Sequence, residues 1–273
     1  MTVADWRDVD PADLAPVVLL VGGFLTMPAW YRPMAAELRD RGAADVVIAP
    51  IYTPDWVLCA VRGLGPVTTR AGRSLLDAGA RSAASPASRG APILYVGHSA
   101  GGMLGRLLTS PERFEGRRFG ASGRIGALVT LGTPHLVGNE ARWGGRVATS
   151  GARFANRVVP GAWFAPTTGY LAVASRRIVG DEGADDPRSR SMRRLYEDVH
   201  PAPGQPVVAG DGLVPVASAL LPGARHLVLA EAVHGPGERF PWYGRSDQLD
   251  AWWPIALEVW RDALRARRAA ASG

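Results

Sequence analysis

The sequence predicts an α/β protein built on a mostly parallel sheet with helices on both faces. Two observations carry this reading. Six short runs are rich in Val, Ile and Leu without polar alternation, the pattern of strands buried on both sides, and helix-patterned stretches lie between them. With 273 residues, 47% hydrophobic and 21% charged, the chain can bury a sizeable core, and its composition excludes disorder, collagen and coiled coil as the main architecture. The single cysteine, Cys59, can close no intramolecular disulfide and build no cysteine-rich zinc site, so core packing must hold the fold. We expect one domain over residues 1–273.

The residues before the first run mix acids with small side chains and lack the basic start and apolar middle of a secretory signal, which leads to an expectation of a cytoplasmic protein. The run itself, PVVLLV at 16–21, is too short to span a bilayer. Helical spacing follows at 28–41, then the strand DVVIAP at 45–50 and a second helical stretch at 66–84. The third strand, PILYV at 92–96, runs straight into GHSAGG at 97–102 and a helix through Met103–Leu108; RIGALVTL at 124–131 is the fourth.

The stretch 136–169 breaks the rhythm. It scatters Trp143, Phe154, Trp163 and Phe164 among Gly, Arg and small residues without a clear buried strand, and is expected to form a cap over the sheet. After the fifth strand, YLAVAS at 170–175, comes a second, polar insertion at about 181–206, with a short helix expected at 188–198. The last strand is RHLVLA at 225–230. Over 248–268, Leu249, Trp252, Trp253, Ala256, Trp260 and Leu264 share one helical face, a core face in this reading, with Pro254 either opening or kinking the helix. Asp250, Glu258 and Arg261 interrupt it, so no stable membrane insertion is expected.

The 31 basic residues are all arginine, and the net charge is +6. Around 176–194 the arginines interleave with Asp181, Glu182, Asp185 and Asp186, while Arg265, Arg267 and Arg268 sit where they complement a helix C-terminus. That distribution describes a solvated surface, so no nucleic-acid partner is expected.

Chemistry concentrates in the strand–turn–helix at Gly97-His98-Ser99-Ala100-Gly101. In a G-x-S-x-G elbow the serine sits on a turn so sharp that side chains at 97 and 101 would collide with neighbouring elements, and the helix N-terminus presents amides to a developing oxyanion. Serine needs a base, and the base needs an orienting acid. Downstream, in the order Ser, Asp, His, come the tight loop Gly210-Asp211-Gly212-Leu213-Val214-Pro215 and His234 in EAVHGPG. Asp181 is the rival acid. His98 and His135 are read as packing residues, His226 as structural, and His200 as part of the second insertion.

LLVGGF at 19–24, GHSAGG at 97–102, LGTPH at 131–135 and GDGLVP at 210–215, with His234-Gly235, together resemble the α/β-hydrolase superfamily and, within it, the lipase-like serine esterases. The resemblance implies Ser99 as nucleophile, Asp211 as acid, His234 as base, and the amides of Phe24 and Ala100 as the oxyanion hole. Lipases commonly have His-Gly where this chain has Gly22-Gly23, and that His supports the oxyanion loop; without it the second donor is Phe24 or Leu25. The expected activity is hydrolysis of apolar carboxylic esters, small-molecule or lipid, through an acyl-enzyme, with Leu25, Trp143, Phe154, Trp163 and Phe164 as candidate acyl contacts. Thioesterase and acyltransferase chemistry use the same triad, and a non-catalytic binding protein on this fold is the alternative from another class. No cofactor is implied: the five histidines lack metal-site spacing, a phosphate loop is impossible without lysine, and Gly22-Gly23 lacks the third glycine of a dinucleotide fingerprint.

Overall fold

The computed structural model describes residues 5–138, 145–237 and 240–272. In chain order the elements are β1 (Val17–Val21), α1 (Arg32–Asp40), β2 (Asp45–Ile48), α2 (Thr53–Arg62), α3 (Gly65–Ala84), β3 (Ile93–His98), α4 (Ala100–Thr109), β4 (Ile125–Leu131), α5 (Gly145–Val158), β5 (Gly169–Ser175), β6 (Ile178–Asp181), α6 (Pro187–Val199), β7 (Val207–Gly210), α7 (Val216–Ala219), β8 (Arg225–Leu229) and α8 (Ser246–Ser272). Six strands form one sheet in the order β2-β1-β3-β4-β5-β8, and every neighbouring pair is parallel. All six are the expected ones.

Side-chain alternation explains why the strand runs lack polar residues. Along β1, Val17, Leu19 and Val21 join a core with Trp56, Leu64, Val67, Ala71 and Leu104, while Val18 and Leu20 join a second core with Met34, Leu38, Trp252 and Trp260. A strand covered by helices on both faces must be apolar at every position. The tryptophan stripe of α8 is thus a core face. Its indole N–H groups donate to main-chain carbonyls: Trp252 to Tyr243, Trp253 to Arg41 and Trp260 to Pro92. Pro254 lies inside α8, on its exposed side, and does not open the helix.

Three features depart from expectation. Helix α2 was not anticipated. It buries Trp56 and Cys59 but leaves Val57, Leu58 and Val61 exposed, so apolar side chains lie on its outer side as well as its inner one. The β6–β7 pair is a separate antiparallel ladder whose strands are only four residues long and partly exposed. Within 136–169, α5 packs on α4, and Phe154, expected as an acyl contact, enters the core with Ala152, Ala155 and Val159. Arg106, buried on α4, fastens this contact by donating to Asn156 Oδ1 and to the Val159 carbonyl. Residues 139–144, with Trp143, lie outside the described residues. No helix among the described residues is long and apolar enough to cross a membrane.

The core also buries two imidazoles, His98 closing β3 and His135 beyond β4, each 1% exposed. Burial, helped by the nearby His234, pushes His98 down to about 3; burial, helped by Arg106, pushes His135 well below the ordinary value. Both are neutral in the fold, whereas in the unfolded chain both protonate below about pH 6.5. The unfolded state therefore binds more protons, and stability falls as pH drops from about 6.5 towards 4, by about 1.4 kcal/mol per pH unit for each buried imidazole. Denaturant titrations across this range should show the slope, and His135→Asn should remove one imidazole's share. A flat profile would contradict the burial of neutral histidines.

Candidate active site

The site lies at the carboxyl ends of the parallel strands, where β3 turns into α4 through Ser99. Ser99 has φ 54° and ψ −126°, a backbone region that L-residues rarely occupy. Glycine on either side makes the turn possible. A Cβ on Gly97 would lie 2.4 Å from the Gly102 nitrogen, and one on Gly101 would lie 2.2 Å from the Val21 carbonyl oxygen. The turn is secured by the Ser99 N–H donating to the Leu131 carbonyl (2.8 Å) and by Thr133 Oγ1 donating to the Ser99 carbonyl (2.8 Å).

His234 and Asp211 arrive from separate loops, beyond β8 and β7. Ser99 Oγ is 2.9 Å from His234 Nε2, and His234 Nδ1 is 2.9 Å from Asp211 Oδ2. The His234 amide also donates to the Asp211 carbonyl (2.9 Å), so main chain as well as side chain couples the two loops. Asp211 is 1% exposed. Burial alone would push its carboxyl up, but His234 beside it and the amides of Val214 (2.8 Å) and Leu213 (3.0 Å) hold it below the usual carboxylate range. Tyr243 adds a fourth donor, its hydroxyl 2.9 Å from Oδ2. A carboxylate only accepts, so Nδ1 carries the proton of the His234–Asp211 bond, and Nε2 is left as the acceptor facing Ser99.

The remaining candidates lie elsewhere or act differently. Asp181 accepts from the Gly183 amide in a turn and is not joined to His234, whose carboxylate partner is Asp211. His226 donates to the Leu221 carbonyl, and His135 pairs with Thr130 Oγ1. His98 does more than pack: its ring lies 5.0 Å from that of His234, and its Nε2 is 2.7 Å from the His234 carbonyl oxygen. On the loop after β1, Phe24 packs edge-on against Trp56, and Leu25 takes φ 58° and stays 40% exposed. Ala100 opens α4, and an N–H in a helix's first turn has no intrahelical acceptor. Phe154 is buried against Phe114, Phe164 packs on the same core, and Trp163 is exposed. Among the described residues, no hydrogen bond or ring contact joins these three to Ser99, Asp211 or His234. Nor do the described residues contain a group of three or more His, Cys, Asp or Glu that could hold a metal ion.

Sequence reasoning missed Tyr31 and Tyr243, which hydrogen-bond within the site from the start of α1 and from the loop before α8. No periodicity marks them, because their roles come from chain segments that meet only in three dimensions.

No protein-family model and no curated protein matches the chain. Solved structures do. A lipase from Bacillus licheniformis, BlEst2, in its mature form is similar at a TM-score of 0.60 and 16% identity, over 89% of this chain and 92% of that one. Its propeptide form gives 0.59 and 16%, over 89% and 50%. An esterase from Thermogutta terrifontis superposes at 0.46 and 15%, over 94% and 83%. The parallel six-stranded sheet, the helices on both its faces and the turn at Ser99 together make an α/β-hydrolase fold.

Proposed function

We propose that the protein hydrolyses apolar carboxylic esters through an acyl-enzyme on Ser99. The observation that carries this is the continuous line Ser99 Oγ, His234 Nε2, His234 Nδ1, Asp211 Oδ2, with both links at 2.9 Å and the serine on a strained turn at a helix N-terminus. In the reaction, His234 Nε2 accepts the Ser99 proton as Oγ attacks the ester carbonyl carbon. The amides of Ala100 and of Phe24 or Leu25 stabilise the oxyanion, and Nε2–H then protonates the departing alkoxide. Water, deprotonated by the same nitrogen, releases the acid and restores Ser99. Asp211 stays ionised throughout, fixing the tautomer and facing the imidazolium as it forms.

The preference for an apolar acyl group rests on the rim. Leu25 is exposed on the loop after β1, and Thr53 Oγ1 at the start of α2 donates to its carbonyl, joining that loop to the helix that exposes Val57 and Val61. We assign the acyl chain to this side, with Leu25 as its first contact. The Bacillus licheniformis neighbour is called a lipase, which agrees with the reading.

Ser99→Ala should abolish both hydrolysis of p-nitrophenyl esters and labelling by a fluorophosphonate probe while the folded content stays unchanged by circular dichroism; labelling that persists assigns the nucleophile elsewhere. Asp211→Asn should lower kcat by about 10⁴-fold, as in the well-studied triad enzymes, by favouring the wrong His234 tautomer. Asp181→Asn should leave kcat near that of the unmodified protein, and the opposite result would exchange the two acids.

Leu25→Ala should reduce kcat/KM more for octanoyl than for acetyl esters, because each acyl CH₂ left uncovered costs about 0.8 kcal/mol. Phe154→Ala should lower stability without that chain-length dependence. Equal losses on both esters in Leu25→Ala would remove the acyl role. Acyl thioesters assayed beside the oxygen esters report whether the leaving group matters.

A further inference from the structure

Two buried side chains outside the line Ser99–His234–Asp211 connect its two flanks. Tyr31 and His98 are each 1% exposed. The Gly23 amide, on the loop after β1, donates to the Tyr31 hydroxyl oxygen (3.0 Å). That hydroxyl is 2.8 Å from His98 Nδ1, and His98 Nε2 is 2.7 Å from the main-chain carbonyl of His234. The chain of bonds thus starts on the loop carrying Phe24 and Leu25, passes through the residue that precedes Ser99, and ends on the backbone of the residue carrying the base.

The direction of every bond in this chain is determined. A carbonyl only accepts, so the proton of the terminal link sits on His98 Nε2. The imidazole is neutral in its burial, and Nδ1 is then an acceptor, which commits the single hydroxyl hydrogen of Tyr31 to it. Thr26 Oγ1, 3.2 Å from the Tyr31 oxygen, is the weaker claimant and gives its own hydrogen to the Gly23 carbonyl (2.8 Å). The Tyr31 oxygen therefore has a lone pair for Gly23, and the bonds run one way, N–H to O–H to imidazole to carbonyl, so that each polarises the next.

The surroundings show what this wiring controls. A Cβ on Gly23 would lie 2.7 Å from Ser99 Cβ, so the loop rests directly on the nucleophile and a small shift of it moves the amides of Phe24 and Leu25 relative to Ser99. A Cβ on Gly22 would lie 2.6 Å from Tyr31 Cε2: the Tyr31 ring occupies the space that a side chain at 22 would need. His98 is wedged between the rings of Tyr31, Trp242, Tyr243 and His234, which leaves it no alternative partner direction.

We propose that Tyr31 and His98 are positioning residues that set the separation between the oxyanion loop and His234 across Ser99, taking the place of a side chain at position 22. The proposal rests on the ester-hydrolase reading for its kinetic consequence, but not for the wiring itself. Neither residue exchanges a proton with substrate. Each acts through the main chain, Tyr31 on Gly23 and His98 on His234, and losing a link leaves a buried donor and a buried acceptor unmatched.

The test uses the full chain and three variants. In the unmodified protein, nitrogen-15 NMR of the histidines should show His98 neutral, with the proton on Nε2, across the neutral pH range, and the Gly23 amide should be protected from hydrogen exchange. Tyr31→Phe and His98→Phe should each lower kcat by about 10- to 100-fold with little change in KM, the size of effect seen when the partners that orient a catalytic group are removed. Tyr31→Phe should also expose the Gly23 amide to exchange. His98→Gln can place an amide N–H near the Nε2 position, restoring the donor to the His234 carbonyl but not the acceptor facing Tyr31, and should recover part of the kcat lost in His98→Phe.

A His98 proton on Nδ1, wild-type kcat and Gly23 exchange in Tyr31→Phe, or a folded His98→Gln no more active than His98→Phe would each overturn the proposal. So would variants that melt earlier but keep wild-type kcat, since both residues would then be packing alone. A wild-type protein that shows the NMR and exchange signatures but hydrolyses no ester would refute the ester-hydrolase reading and support the wiring.

Discussion

The whole arrangement depends on a backbone crossing: the turn between β3 and α4 presses so close to the end of β1 that Gly101 lies against the Val21 carbonyl. That approach holds Ser99 in a conformation costing about 1–3 kcal/mol, a strain that survives only because its surroundings over-determine it. The Ser99 amide is taken by Leu131 and its carbonyl by Thr133, while the β3–β4 register pairs His98 with Leu131. With the turn held from below and from both sides, the hydroxyl needs no freedom of its own to meet His234.

Burial acts on two neighbouring groups with opposite outcomes. Asp211 and His98 are equally enclosed, yet the first keeps its charge and the second is neutral. The difference lies in their partners. Four donors surround the Asp211 carboxylate, namely two amides, the Tyr243 hydroxyl and the His234 ring, enough to replace the water it lost. His98 faces a carbonyl on one side and a hydroxyl on the other, a pairing that satisfies a neutral ring and offers an imidazolium no counter-charge in direct contact. One enclosed region thereby holds a negative charge on one side of the His234 ring, at Asp211, and an uncharged imidazole on another, at His98, each fixed by its own hydrogen-bond partners.

Much of this was legible in the sequence, for a physical reason. Strands covered on both faces write themselves as unbroken apolar runs, and all six strands of the sheet were readable from PVVLLV through RHLVLA. The elbow was equally readable, since only glycine fits at 97 and 101. Structure that is half exposed was not. Helix α2 turns Val57 and Val61 outward, and the β6–β7 ladder is too short and too exposed to show a period. In the stretch 136–169 the scattered aromatics gave no sign of which would be buried: Phe154 fills the core beside Phe114 on a helix that packs on α4, while Trp163 stays exposed. Tyr31, His98 and Tyr243 were beyond reach because a hydrogen-bond chain between segments far apart in sequence leaves no local pattern. His98 was visible inside the motif, but its polar role depends on a tyrosine 67 residues away.

The tryptophan face of α8 has a kinetic meaning as well as a structural one. Trp253 reaches back 212 residues to Arg41 and Trp260 168 residues to Pro92, while Arg268 donates to the Trp6 carbonyl across 262. Contacts of such sequence separation close late, because the loop entropy must be overcome before the burial is gained. Until α8 docks, the apolar face of β4 and β5 formed by Ala127, Val129, Leu171 and Val173 lacks the cover that its tryptophans provide. A chain in which α8 has been made but has not yet docked therefore carries an open apolar strip on one face of the sheet, the kind of transient surface through which association between chains competes with folding.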